Sequence, residues 1–485
     1  MTAVAEKTSE SPTAQARKGR WIDHWEPEDP TFWEKTGKKI ANKNLVFSVF
    51  AENLGFSVWV LFSILVTQMG NAGFAFMADD LAVTNGLILT SIPVLVGSTL
   101  RLPYTFAIPT FGGRGFTTFS AAMLLIPCLG LAVAFTQPTT PMWVFLILAG
   151  LAGFGGGNFS SSMANISFFF PEHKKGTALG INAAGGNIGV AVTQLTMPLV
   201  ISLGLIITAT NPAGYRFALM LACLTWVPFI VTAAALAWFK MDSLTSAKPD
   251  GVSYKLAMRN KQTWVMSFLY IGTFGSFIGF SFAFPNLLQS NFPEMSEVGF
   301  LVALGNLAFL GALLGSVSRP FGGWMSDKLG GSKLTLGVFV GMSAGVALIM
   351  LALEMKSFVL YLLSFILLFV LTGIGNGSTY RMIPMIFSAE AKRRAAETGQ
   401  DTAEAAASAR RQAGAAIGVI GAIGAFGGFI VQQALRLSSV HLGTMAPAFW
   451  AYAALFLVMA GTTWWFYLRK SFAVRRAPSL AHADV

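Results

Sequence analysis

Four ionisable residues lie inside long apolar runs of this 485-residue chain: Arg101, Arg319, Arg381 and Glu52. A charge taken away from water costs several kcal/mol unless something binds it, so such residues mark functional positions. Three are cations and one is an acid, an imbalance that suits a small anion. Arg101 and Arg319 also occupy matched positions. Gly97-Ser98-Thr99-Leu100-Arg101 and Gly315-Ser316-Val317-Ser318-Arg319 share a pattern at an offset of 218 residues. Two guanidinium groups facing each other across a cavity can hold a planar oxyanion, because each stays charged and presents a rigid fork of N–H donors. A lysine would be a mobile point charge that can lose its proton on burial. The structural alternative is that each arginine ties helices together through backbone carbonyls.

Glu52 admits two roles. It aligns with Tyr270 at the same offset, and a membrane-embedded carboxylate can carry a proton. Alternatively it pairs with Arg381, which lies at a matching depth, about two turns inside the end of its span. Structural pairing or gating is the expected role. Tyr380, beside Arg381, is placed to shape the pocket or its inner exit.

Two segments are dense in glycine: Gly176, Gly180, Gly185 and Gly186 in one, and Gly418, Gly421, Gly424, Gly427 and Gly428 in the other. Glycines three and four residues apart let helix backbones approach closely. They also leave room for bending and for a small ligand. Asn187 adds an amide that can donate to an oxyanion. Ser160, Ser161, Ser162 and Asn165 read as hydrogen-bonding glue between helices. Cys128 and Cys223 are isolated in apolar runs, and the four histidines show no ligand spacing. No nucleophile–base pair, metal cluster or phosphate-binding loop stands in a plausible context, so neither an enzyme nor a cofactor is expected.

The elements that must position these residues are membrane spans. The chain is 54% hydrophobic and 11% charged. Apolar runs of about 20 residues or more, each long enough to cross about 30 Å of hydrocarbon, recur about twelve times. They fall near 45–70, 84–109, 116–137, 140–170, 177–204, 215–239, 262–289, 296–323, 334–354, 358–388, 412–435 and 445–468. The expected fold is therefore an all-α membrane protein, since backbone groups must pair within each span. With both termini on one side, that side receives every Lys and Arg except Arg101, Arg216, Arg319, Lys356, Arg381 and Arg436. The positive-inside rule makes that side cytoplasmic. The net charge of +11 is thus topological, and nucleic-acid binding is not expected. The first 44 residues are polar, so no cleaved signal peptide is expected. Residues 1–20 read as disordered, while Trp21, Trp25, Phe32 and Trp33 are expected at the membrane interface.

The offset of 218 recurs. It relates Gly157-Asn158-Phe159-Ser160 to Gly375-Asn376-Gly377-Ser378, and Phe56 to Phe274. Twelve spans with a basic connection in the middle then divide into a cytoplasmic segment 1–44, a six-helix half 45–239, a linker 240–261, a second half 262–470 and a tail 471–485. Repeated halves are a recurring carrier design with the substrate near the midplane between them. A passive channel or an anion sensor is the alternative; matched halves favour a carrier, and neither tail is large enough for a signalling domain.

Gly322-Gly323-Trp324-Met325-Ser326-Asp327-Lys328-Leu329-Gly330-Gly331 resembles the Gly-x-x-x-Asp-Arg/Lys-x-Gly-Gly loop of the major facilitator superfamily, where Asp327 would latch one state through a basic group. Residues 158–171 and the glycine segments 176–188 and 418–430 resemble the nitrate/nitrite porter family of NarK type within that superfamily. The resemblance runs from about Trp25 through the last span. It implies twelve transmembrane helices in two pseudo-symmetric halves, nitrate and nitrite as substrates, and a bacterial inner-membrane location. By that resemblance Arg101 and Arg319 clamp nitrate, Asn187 and Tyr270 offer hydrogen bonds, and Phe159 and Phe274 wall the anion plane. Exchange of nitrate for nitrite is the expected activity, with a proton-coupled nitrate symporter as the alternative. A monomer is the expected state.

Overall fold

The computed structural model describes residues 16–17, 20–78, 81–247, 251–296, 307–399, 401–470 and 479–481. Its helices are α1 (Pro30–Met69), α2 (Leu81–Phe111), α3 (Gly113–Ala134), α4 (Met142–Phe169), α5 (Glu172–Ile207), α6 (Pro212–Lys240), α7 (Lys261–Asn291), α8 (Ala308–Leu329), α9 (Gly331–Glu354), α10 (Phe358–Thr398), α11 (Thr402–Leu442) and α12 (Ala446–Leu468). Among the described residues, all but α8 are long and apolar enough to cross a membrane alone. α8 carries Arg319, Asp327 and Lys328; the first part of its expected span, residues 297–306, lies outside the described residues.

The boundaries follow local chemistry. α2 and α8 end at Gly112 and Gly330, 218 residues apart, with φ of +77° and +87°, a backbone region open mainly to glycine. α10 and α11 run well past the expected ends at 388 and 412. Residues 389–398 and 402–416 are rich in Ala, Glu, Arg and Gln, all strong helix formers, so the stretch expected to be a basic loop continues both helices. Gly399, at φ +70°, stops α10, and the Asp401 side chain accepts the amide of Ala403 to start α11. The linker likewise contains a short helix, Gly251–Arg259.

The N-terminal segment corrects a second expectation. Trp25, Phe32 and Trp33 are buried, not at an interface. They form a small core with Phe169 and Phe170 at the end of α4, and Trp25 Nε1 donates to the Phe168 carbonyl at 3.1 Å. Strands β1 (Ala16–Arg17) and β2 (Trp21–Ile22) pair antiparallel, and β2 pairs in parallel with β3 (Ser243–Leu244) of the linker. Beside them Asp242 is buried, held by Arg20 at 2.9 Å, Lys43 at 2.6 Å and Asn44 at 3.0 Å. Paired and hydrogen-bonded, a buried carboxylate is tolerable. The aromatic rings had protein surface available, which excludes water better than a headgroup layer does.

α2 packs against α11 and α5 against α8, joining the first six helices to the last six. On the side of Arg101 away from the linker, the join is polar. Thr90 Oγ1 donates to Gln432 Oε1 at 2.5 Å, Gln433 Nε2 to Ser91 Oγ at 2.6 Å, and Gln194 Nε2 to the Ser281 carbonyl at 2.6 Å. Neutral hydrogen bonds of this kind are worth about 0.6 kcal/mol each inside a membrane protein, enough to close one end reversibly.

The sequence repeat reappears as repeated contacts. Ser98 and Ser316 each return a hydrogen bond of 2.7 Å to the carbonyl four residues earlier. Gly186 of α5 leaves room for the Glu52 side chain of α1, and Gly424 of α11 leaves room for the Tyr270 ring of α7. One turn on, Gly189 abuts the Asn53 carbonyl and Gly427 the Ile271 carbonyl. The glycine segments therefore seat the first helix of each half. At Gly176, Gly180 and Gly421, in contrast, a Cβ would meet nothing within 4 Å. Gly189→Ala and Gly427→Ala are expected to destabilise the protein by about 1–3 kcal/mol through overpacking, whereas Gly176→Ala and Gly180→Ala are expected to leave it unchanged; thermal unfolding of the purified variants in detergent checks this.

Candidate substrate-binding site

Arg101 is fully buried on α2. Its Nε donates to the Gly156 carbonyl of α4 at 3.3 Å and its Nη1 to the Gly421 carbonyl of α11 at 3.2 Å. Both bonds are long for N–H···O contacts, and Nη2 has no partner. Three rings surround the guanidinium: Phe159 at 4.6 Å, Phe274 at 4.9 Å and Trp59 at 5.7 Å from their centroids. Aromatic faces attract a cation but accept none of its hydrogen bonds.

Arg319 is buried on α8. Its Nη2 donates to the Tyr270 hydroxyl at 3.2 Å, while Nη1 has no partner. Phe274 lies 6.0 Å and Tyr380 5.4 Å from its guanidinium. Phe274 is thus within cation–π range of both arginines. It stacks on Tyr270 at 5.2 Å and tilts against Phe159 at 6.3 Å. The structure therefore brings Arg101, Arg319, Tyr270, Phe159, Phe274 and Tyr380 into one cluster. Asn187 is buried on α5 next to Gly186, with its amide oxygen unpartnered; the amide meets neither arginine directly.

Buried N–H groups are almost always paired. Here each guanidinium keeps one buried donor free, on the two residues related by the repeat. Each of these free donors can take an anionic oxygen, and Phe159 and Phe274 flank the Arg101 guanidinium. The carbonyl contacts of Arg101 show that the helix-tying alternative is also partly realised; it leaves Nη2 unused.

Glu52 does not pair with Arg381. Its Oε2 accepts hydrogen bonds from Ser162 of α4 and, at 2.6 Å, from Asn182 of α5, and its Oε1 is unpartnered. Ser162 also accepts from Asn182. Arg381 instead binds Asp327 of α8, Nε to Oδ1, at 2.6 Å. Both of those side chains are about half exposed, so Arg381 is not an interior charge. Adjacent helix residues point about 100° apart, which sends Tyr380 inward and Arg381 outward. The depths suit an Arg381–Glu52 pair; the facing directions do not. Of the expected glue residues, Ser162 bonds across helices, whereas Ser161 returns to the Asn158 carbonyl of its own helix.

Trp59 is a site residue that the sequence reading passed over. Its Nε1 donates to the Pro93 carbonyl at 2.7 Å, fixing the ring beneath Arg101 against Gly97 and Gly156. The signal was available: the 218-residue offset pairs Trp59 with Phe277, whose ring lies against Gly315 as Trp59 lies against Gly97.

The sequence matches the Major Facilitator Superfamily profile over residues 54–430. It is 39% identical over 457 residues to the nitrate/nitrite transporter NarU of Escherichia coli (strain K12), covering 93% of this chain and 96% of that protein. It is 34% identical to the probable nitrate/nitrite antiporter NarK2 of Thermus thermophilus, over 94% and 98% of the two chains. The chain belongs to the nitrate/nitrite porter family of the Major Facilitator Superfamily. Among solved structures, this porter resembles a D-xylose–proton symporter, with a TM-score of 0.63, 14% identity and coverage of 88% of this chain and 97% of the other. It also resembles the E. coli fucose:proton symporter FucP, with a TM-score of 0.54, 13% identity and coverage of 86% and 97%. Those likenesses concern the fold. The porter is a multi-pass membrane transporter and not an enzyme.

If the free guanidinium donors bind the anion, charge alone does not suffice. Arg101→Lys and Arg319→Lys are each expected to weaken nitrate binding about tenfold or more, equivalent to at least about 1.4 kcal/mol, with the fold intact. Calorimetric or competition binding on the purified variants measures this, and wild-type affinity in both would remove the clamp.

Proposed function

We propose that this protein is a nitrate/nitrite antiporter of the bacterial inner membrane, importing nitrate and exporting nitrite by alternating access, with both termini in the cytoplasm. The observation that carries the reading is the pair of repeat-related arginines, each with a buried N–H lacking a partner. The relatives named nitrate/nitrite transporter and probable nitrate/nitrite antiporter support the choice of anion. The bias of Lys and Arg supports the orientation. Arg101, Arg319, Tyr270, Phe159, Phe274 and Asn187 form the binding site; Glu52, Tyr380 and the Asp327–Arg381 pair are placed to gate or couple.

The mechanism follows from charge. An empty site exposes two fixed cations to a dry interior and leaves their donors unsatisfied, which is costly. A bound monovalent anion removes much of that cost. Reorientation is then easier loaded than empty, and a carrier that moves mainly when loaded is an exchanger. Nitrate and nitrite are both flat and singly charged, so one arginine pair can take either, and their one-for-one exchange moves no net charge. The hydrogen bonds that close the end away from the linker must break in the opposite state.

One observation favours a second reading, proton-coupled nitrate uptake. Glu52 is a buried carboxyl, ion-paired to no residue among those described, with one oxygen open. Nitrate binding nearby would repel an ionised carboxylate, so anion and proton would bind together by linkage.

Nitrate uptake by proteoliposomes, with and without internal nitrite and crossed with an imposed proton gradient, separates the two readings. Exchange requires internal nitrite and ignores the gradient. Uptake into anion-free vesicles driven by external acid would replace exchange with symport, and Glu52→Gln would then abolish the acid-driven part. Under exchange, Glu52→Gln is expected to keep nitrate/nitrite counterflow within about threefold, a change of about 0.7 kcal/mol.

A further inference from the structure

A cavity of about 650 Å³ opens on the outer flank of the last six helices, between α8, α9 and α10. Leu334, Val338, Leu371 and Ile374 wall it, and Lys328 and Lys333 stand at its rim. Gly337 faces it with no atom within 4 Å of where a side chain would begin, so the missing side chain helps to open the groove. Val338 lies about 8 Å further along α9 than Lys333, at 1.5 Å per residue. The groove therefore runs inward from the linker-side rim of the membrane, with the two lysines at one end and apolar side chains beyond them.

The rim is set up for an anion. Lys328 and Lys333 are exposed, and the nearest carboxylate in sequence, Asp327, is engaged by Arg381 at 2.6 Å. The Lys328 ammonium lies 4.2 Å over the ring of Trp324, which stacks on Phe321 at 5.3 Å. Both rings are half exposed, the placement favoured at the level of lipid headgroups. α9, 24 residues long, begins between the two lysines at Gly331, so its first-turn N–H groups and the positive end of its dipole add to the same patch.

We propose that this groove is a binding site for one anionic phospholipid of the linker-side leaflet. The phosphate sits on Lys328, Lys333 and the start of α9, and one acyl chain lies along Leu334, Val338 and Leu371. A zwitterionic lipid fits the same apolar wall but brings its own cation to a rim that already holds two. Basic pockets between transmembrane helices select acidic headgroups for this reason.

The test uses full-length protein purified in detergent. It is incubated with phosphatidylglycerol or with phosphatidylcholine of the same acyl chains, and retained lipid is counted by native mass spectrometry. Wild type is expected to retain phosphatidylglycerol about tenfold better, and the Lys328→Gln/Lys333→Gln variant to retain both equally, with nitrate/nitrite counterflow unchanged. Equal retention of the two lipids by wild type, or undiminished preference in the variant, overturns the site. Gly337→Leu, which fills the groove and leaves the lysines, gives an independent check: it should lose retention, and persistent preference there also overturns it. Displacement of the lipid by millimolar inorganic phosphate regardless of acyl chain would show a free-anion patch instead.

Discussion

The rest of the site depends on holding two guanidinium groups in a dry interior without a carboxylate on either. A carboxylate in contact would neutralise them and occupy the donors that cargo needs. The structure supplies aromatic faces instead, Phe159, Phe274 and Trp59 around Arg101 and Tyr380 and Phe274 around Arg319. Such faces steady a cation by about 0.5–2 kcal/mol and leave its N–H groups unspent. Among the described residues the nearby carboxyl, Glu52, is turned toward Ser162 and Asn182.

That arrangement requires close packing. A large ring under each arginine must come from a neighbouring helix, and the helices must approach closely enough to deliver it. Gly97 and Gly156 admit Trp59 beside Arg101, and Gly424 admits Tyr270, whose hydroxyl accepts from Arg319. Glycine density and aromatic shielding are therefore two parts of one design. A side chain at any of these glycines would displace a ring, and the ring holds an arginine.

Much of this was legible in the sequence because it is periodic or repeated. Span length sets hydropathy, so the helices could be placed without tertiary information. The 218-residue offset relates residues that fold into equivalent places, which is why Arg101 and Arg319 stood out. What was not legible depends on facing direction. Arg381 sits at the right depth to meet Glu52 but turns outward to Asp327, and a one-residue step on a helix separates it from inward-facing Tyr380. The full lengths of α10 and α11 were hidden because polar, alanine-rich helix beyond a membrane has the composition of a loop. The aromatic N-terminal residues have the composition of a membrane interface, but they pack on the end of α4 instead.

The notches at Gly186 and Gly424 hold different side chains, a carboxyl from Glu52 in one and a phenol from Tyr270 in the other. The two halves thus carry similar sockets with different occupants, while the neighbouring backbone approaches, Gly189 to Asn53 and Gly427 to Ile271, are alike. In the proposed site, a carboxyl that would repel an anion thus stands on one side and a hydroxyl beside Arg319 on the other. Two halves that are nearly interchangeable as architecture are distinguished by chemistry, and the cargo itself can tell them apart.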